Sequence, residues 1–368
     1  MQENEKKEPF LRMTARTDYS TYYPWVVRIA SVFCAILLGS VIYMILGYDP
    51  VSVYKVLFSG SLGTSLSFQQ TLRIMIPLLG AAIAIAPAFC MRFWNIGVEG
   101  QITMGAVFST FFALKCADSM PHSLLLLCML IAGAVGGAVW GIIPALFKAK
   151  WNTNETLFTL MLNYIAIGIV KYLQGGPWQG KPGTQQIGKF SENARMPQIG
   201  GVTVGIFLIL FLTVFMFIYM KYTGHGYQIQ VVGQSVNTAL YAGINVKRVI
   251  VRTMALSGAV SGLVGFVMVS GINFTLSDSV AGGVGFTGIT IAWLANLNSF
   301  GMVIISLLLA VLERGSSAVA TMTGNVLSAN MADILTGLIL FCMLGSEFFI
   351  RYRLIFRKKN VKSEKEEQ

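Results

Sequence analysis

The chain has 368 residues, of which 55% are apolar and only 12% charged, with a mean hydropathy of +0.66. A soluble protein carries about 25% charged residues, so half that share, together with uncharged runs of roughly 20 residues, excludes an ordinary soluble domain and indicates an all-α polytopic membrane protein. The net charge of +11 does not point to nucleic acid, because the cations sit in the tails and short loops, as membrane topology requires.

About ten transmembrane helices are predicted, some short or broken: 26–47, 72–91, 96–115, 123–147, 156–174, 202–221, 250–271, 284–297, 300–313 and 331–350. A transmembrane domain, 25–350, thus lies between a polar tail, 1–24, and a basic, charged tail, 351–368. The first apolar run lacks an A-x-A-like site and reads as an uncleaved span rather than a signal peptide. Cys34, Cys90, Cys116, Cys128 and Cys342 show no CxxC spacing and read as small buried hydrophobes.

Between the second and third spans stands MRFWNIGVEGQ, residues 91–101. Asn95 is placed to cap the third helix, with Glu99 in its first turn, where a carboxylate favours the helix dipole. Capping does not account for Gln101, nor for Gly97 and Gly100 in the same two turns. An ionisable group at the centre of a span costs on the order of 3 kcal/mol and normally faces a bundle interior or a water-filled path. The same residues are therefore candidates to line or gate a pathway. Further along, GAVGGAVWG (133–141) and SGAVSGLVG (257–265) present small residues on one face. Both suit tight helix contacts, within the subunit rather than between subunits.

Two apparent nucleotide motifs fail on context. GTQQIGKF (183–190) has Phe190 where a P-loop needs Ser or Thr, and no strand precedes it. GVGFTG (283–288) has no βαβ pattern around it, so its glycines read as a helix break or close packing in a short eighth span. The 314–330 stretch reads as a re-entrant turn. No nucleophile–base pair or metal cluster has usable spacing, so the chain is not expected to be an enzyme or to hold a metal or cofactor.

With both termini cytoplasmic, most of the 27 Lys and Arg fall on the cytoplasmic side, as the positive-inside rule demands. The largest internal loop is then 222–249. In it, Ser235 can cap a helix starting at Val236, and Gly243 can end it in the left-handed conformation. Val236, Ala239, Leu240 and Gly243 fall at helical spacing on one small apolar face, with Asn237, Thr238 and Tyr241 on the other. Two turns are not stable alone in water. Such a stub is either an interfacial connector or a docking element for a cytoplasmic motor.

NIGVEGQ resembles the signature of permeases of bacterial ABC importers for nucleosides and related simple sugars. The likeness continues through NETLFTLMLNYIA (154–166), GGPW (175–178), VVGQSVNTALYAGINVKR (231–248) and GGVGFTGITIA (282–292), over roughly residues 70–300. NIGVEGQ is similar to the larger of the two permeases such systems often pair. The resemblance implies a ten-helix importer of the bacterial plasma membrane, with Gly233, Asn237, Ala239, Gly243 and Ile244 in a coupling helix that Ser235 and Leu240 complete. It also implies an ABC ATPase subunit that uses the ATP and Mg, a second permease (like or unlike), and an external substrate-binding lipoprotein.

The expected function is import of nucleosides, or of related ribose-containing or simple-sugar solutes. The path candidates are Asn95, Glu99, Gln101, Asn154, Asn163 and Tyr164, with Trp94 or Tyr164 able to stack on a base. The competing expectation is an ion-coupled secondary transporter of a small polar solute, relaying through Glu99, Glu155, Asp278, Glu313, Asp333 or Glu347. It leaves the two-turn loop helix without a purpose.

Overall fold

The computed structural model describes residues 11–16, 23–181, 183–323 and 330–356. It divides into two compact units, residues 1–54 with 328–368, and residues 55–327. The first unit begins with β1 (Leu11–Ala15) and α1 (Tyr23–Ile45). Gly47, at φ +82°, turns the chain, and Asp49 closes the turn by accepting from Ser52 N at 2.9 Å and Ser52 Oγ at 2.6 Å. Pro50 then opens α2 (Pro50–Leu62), where its fixed φ suits a helix and its missing N–H is not needed. The apolar parts of α1 and α2 meet at 117°. Tyr54 holds the bend, donating to the Ile36 carbonyl at 2.7 Å.

The second unit is built on α3 (Ser65–Cys90), α4 (Val98–Lys115), α5 (His122–Trp151), α6 (Glu155–Gly175) and α7 (Gly205–Tyr222). Two short helices follow, α8 (Gly224–Gln234) and α9 (Val236–Tyr241), and then α10 (Val246–Val267), prolonged by a π-helical turn, Met268–Asn273. The unit closes with α11 (Val284–Leu294) and α12 (Ser299–Met322). Side chains start most of these helices: Thr64 on α3, Asn154 on α6, Thr223 on α8, Ser235 on α9, Asn245 on α10 and Asn298 on α12 each accept from an amide in the first turn. Each such cap contributes about 1 kcal/mol.

α3 is enclosed on nearly all sides, with 83% of its most apolar stretch buried. Beside it runs a seam of small residues. Gly137 of α5 lies against Gly258 and Gly262 of α10, and Gly105 of α4 meets Gly262 from the other side. A Cβ on Gly141 would come within 2.7 Å of the Met254 carbonyl, so glycine alone permits this approach. The two small-residue repeats thus pack on each other within the subunit.

Six helices among the described residues are long and apolar enough to cross a bilayer (α3, α5, α6, α7, α10 with its π turn, and α12), or seven if the bent α1–α2 pair counts as one. The predicted boundaries need several corrections. The short span 300–313 and the re-entrant turn 314–330 are replaced, as far as residue 322, by one 24-residue helix; residues 324–329 lie outside the described residues. Glu313, Arg314 and Gly315 interrupt the apolar window, but a Cβ on Gly315 would meet the Leu57 side chain, which belongs to the same unit, at 2.7 Å, so close packing there carries α12 past them. The expected loop after α7 is mostly the helix α8, whose two early glycines and polar composition disguise it. α2 had no counterpart in the predicted spans.

The chain returns to the first unit through α13 (Asn330–Arg351) and β4 (Tyr352–Phe356), and α13 packs against α1. β4 pairs antiparallel with β1, Met13 opposite Leu354. The described parts of the two predicted tails therefore form a ribbon. A second pair, β2 (Gln198–Ile199) with β3 (Val202–Thr203), sits in the loop before α7. The five cysteines are free; Cys34 is exposed and the other four half-buried, which corrects their reading as buried.

Candidate functional site

After α3 ends at Cys90 the chain turns sharply, with Arg92 at φ +58°, and runs back among the helices before α4 starts at Val98. Asn95 does not cap α4, which corrects that expectation. Gly97 stands at the cap position just before the helix and provides no side-chain cap, and Asn95 Oδ1 instead accepts from Gly97 N at 3.1 Å in a local turn. The rest of the Asn95 amide faces inward. Asn95 and Gln101 exchange hydrogen bonds in both directions, Nδ2 to Oε1 at 3.4 Å and Nε2 to Oδ1 at 3.3 Å. Ser257 accepts from Asn95 at 3.3 Å, and Ser261 donates to Gln101 at 3.1 Å. Ser257 in turn donates to the Ala84 carbonyl at 2.7 Å. One polar network thereby ties α3, α4 and α10 together, and Asn95 and Gln101 are only 0% and 1% exposed.

Glu99 does not serve its own helix. Its Oε1 accepts from Gly283 N and its Oε2 from Gly285 N, both at 2.7 Å. The carboxylate therefore caps α11 from another helix. Because Gln101, two residues on, bonds Ser261 within α10, this cap lies well inside the bundle. α11 is a half-helix whose N-terminus opens there, where a bilayer offers no water to its free amides. A carboxylate supplies the missing acceptors and favours the positive end of the helix dipole. Gly282 (φ +56°) and Gly283 (φ +86°) turn the chain into this position, a region of backbone space where glycine is free. A Cβ on Gly285 would come within 2.6 Å of Glu99 N. NIGVEGQ and GGVGFTG, far apart in sequence, thus form one joint.

The other candidates separate into those that join this cluster and those that do not. Asn163 joins: Oδ1 accepts from Gly100 N at 2.8 Å, and Nδ2 donates to the Ile96 carbonyl at 3.0 Å. Trp94 stacks on Trp293 at the far end of α11, with centroids 5.6 Å apart at 20°, and Phe89 flanks both rings. Asn154 does not join. It caps α6, accepting from Leu157 N at 3.2 Å. Tyr164 points away from the network and is 70% exposed. Sequence reasoning missed Trp293, Thr159, which accepts from Ile96 N at 3.2 Å, and Trp140. The Trp140 indole N–H is buried near Gly100 without a partner. Two of the carboxylates considered as ion relays sit in ion pairs: Glu155 with Lys148 at 2.9 Å and Asp278 with Lys171 at 3.8 Å. The side chains of Asp333 and Glu347 lie outside the described residues.

GTQQIGKF forms no helix start. It is loop, and Phe190, 1% exposed, anchors it by donating N–H to the Phe274 carbonyl at 2.8 Å. The segment leading down to Gly283 is thus held from above by this loop and from below by Glu99.

In the 222–249 loop, Ser235 Oγ accepts from Thr238 N at 3.2 Å and Gly243 adopts φ +74°, as predicted, with α9 between them. The predicted apolar face is only partly buried. Ala239 is 0% exposed, while Val236 and Leu240 are 50% and 59% exposed, and Tyr241 is 93% exposed. Ala239 sits in a buried cluster with Phe93, Met91, Ala145, Ile229 and Met254, only two residues from Asn95 through Phe93. Gly233 lies not on α9 but on α8, where it packs against the Cys90 carbonyl. Ile244 borders the same cluster, and Asn237 lies exposed on α9. A groove of about 910 Å³ runs between α9, the Arg92–Phe93 turn and the α5–α6 corner.

Membrane-length helices around a buried polar joint define a polytopic membrane protein. Residues 67–344 match the family described as branched-chain amino acid transport system / permease component, and the chain belongs to it. It is 30% identical over 358 residues to a glucose ABC transporter permease of Haloferax volcanii, covering 94% of this chain and 93% of the relative. It is 31% identical over 343 residues to a nucleoside ABC transporter permease of Lactococcus lactis (89% and 93%), and 29% over 338 to a guanosine ABC transporter permease of Bacillus subtilis (89% and 94%). The chain is therefore an ABC transporter permease, a multi-pass protein of the plasma membrane whose class works with an ABC ATPase. That class replaces the ion-coupled alternative.

Proposed function

We propose that the chain is a permease subunit of an ABC importer for nucleosides, or related ribose-containing or simple-sugar solutes, and that α9 is where the ATPase pushes. Both termini and α9 then face the cytoplasm, as the distribution of Lys and Arg favours. α1, α4, α11 and α13 fall at the four predicted crossings that are not among the six long apolar helices. Domain limits of 25–350 for the membrane region go with this reading.

The observation that carries the mechanism is the shared burial of Ala239 and Phe93. A push on α9 reaches Phe93 through packed side chains, and Phe93 leads within two residues into the Asn95–Gln101 network. Interiors are close-packed, so such a cluster passes displacement on rather than absorbing it. Glu99, two residues from Gln101 on α4, holds the N-terminus of α11. Movement there would open or seal the way past the break between residues 274 and 283. Amides and a carboxylate suit ribose and base edges, and the Trp94–Trp293 pair offers flat aromatic surface to a base. A second permease and an external binding lipoprotein complete the assembly.

Uptake of labelled guanosine and labelled glucose by cells lacking the native gene and carrying this one tests the substrate class. Guanosine uptake that unlabelled nucleosides, but not glucose, compete away supports the nucleoside reading. Glucose uptake alone would overturn it while leaving the permease assignment intact.

A further inference from the structure

The ends of α5 and α10 nearest the coupling loop enclose a cleft of about 670 Å³ that the transport reading does not use. Its chemistry is layered. Lys150 on α5 and Lys247 and Arg248 on α10 form the rim, while Leu146, Phe147 and Val251 form the floor. On both helices the apolar residues lie about one turn further from the loop than the cations: Leu146 precedes Lys150, and Val251 follows Lys247. The layering therefore runs the same way on both walls, charge outward and hydrocarbon inward. Trp151, 58% exposed, stands at the rim with Lys150 Nζ 4.6 Å from its ring centre. Among the described residues, none of the three cations has a carboxylate within ion-pair distance.

We propose that this cleft is a binding site for an anionic phospholipid, with the headgroup phosphate held by Lys150, Lys247 and Arg248 and an acyl chain lying on Leu146, Phe147 and Val251. Charge complementarity selects the occupant. Three unpaired cations beside an apolar floor match a phosphodiester joined to hydrocarbon, and the anionic leaflet presents that combination at the depth of a helix end. A protein partner seated there would have to bring carboxylates onto the rim and an apolar wedge into the floor together. The exposed Trp151 agrees with headgroup depth, where amphipathic rings concentrate.

The test uses the assembled transporter, with its partner subunits, in nanodiscs of phosphatidylcholine containing a minor share of phosphatidylglycerol. Native mass spectrometry of the released complex counts the phosphatidylglycerol retained. The site predicts retention by the native complex, and roughly 25-fold weaker retention by the Lys247→Gln/Arg248→Gln double variant, at about 5-fold per cation. The charge-preserving Lys247→Arg/Arg248→Lys variant should retain the lipid, which separates loss of a site from loss of fold. Equal retention by the neutral double variant overturns the proposal. So does complete displacement by millimolar inorganic phosphate, which would show that hydrocarbon contributes nothing. A crosslink from Trp151→Cys to a partner subunit, with phosphatidylglycerol absent, overturns it as well.

Discussion

Glu99→Gln isolates the joint between α4 and α11. The native carboxylate accepts from two amides, Gly283 N and Gly285 N, at 2.7 Å each. A glutamine in the same rotamer offers one acceptor and turns its NH₂ towards the other amide. One charge-assisted bond of about 1.5–3 kcal/mol is lost, and a buried N–H is stranded at a cost of about 1–3 kcal/mol. Relief of the buried charge offsets part of this, leaving a net loss of about 2–4 kcal/mol in holding the α11 N-terminus closed. Amide exchange in the 283–288 segment then speeds up by about 30- to 700-fold. Hydrogen-exchange mass spectrometry of the purified complex reads this directly, and uptake falls in parallel while assembly persists. Gly285→Ala, whose Cβ would press on Glu99 N, should give the same local signature by a steric route. Unchanged exchange and unchanged uptake in Glu99→Gln would refute the idea that this carboxylate holds the half-helix.

Gly243→Val forces a β-branched residue to φ +74°, a strain of about 1–3 kcal/mol. Uptake should drop while ATP hydrolysis continues, measured side by side in the same vesicles. Ala239→Leu overpacks a site with no exposure, at about 1–3 kcal/mol, and should weaken coupling more than assembly, read as a fall in solute moved per ATP. His225 accepts or donates at Nδ1 with the Tyr219 hydroxyl at 2.7 Å, and burial, with Arg252 second, lowers its pKa below the usual 6.5. The folded state thus keeps a neutral ring that the unfolded chain would protonate, so the α7–α8 corner loses stability as pH falls below about 6.5 and regains it above. Exchange protection of α8 amides on the two sides of that pH checks this, and His225→Gln should flatten the response.

The sequence placed the polar run, the stub helix and the small-residue seam because each has local logic: a cap, a glycine stop, a repeat on one face. Ser235 and Gly243 act as expected for that reason. Glu99 was found, but its local reading, a first-turn residue of its own helix, was displaced by a partner 184 residues away. A helix start inside the bundle has no sequence signal except glycines, and Gly282 and Gly283 look the same whether they break a helix or pack it. Asn154 and Tyr164 shared a motif with Asn163, yet helical geometry sends neighbouring side chains to different faces. Hydropathy splits α12 in two because it counts Glu313 and Arg314 but not the close packing of Gly315 on Leu57.

Force passing from α9 to the α11 break must change a distance across that route. Spin labels at Thr238→Cys on α9 and Phe286→Cys on α11, in the assembled transporter, report it by double electron–electron resonance. Trapping the ATPase with ATP and vanadate should shift the distance distribution, and Gly243→Val should abolish the shift. Identical distributions in the free and trapped states of a complex that still imports solute would contradict the account.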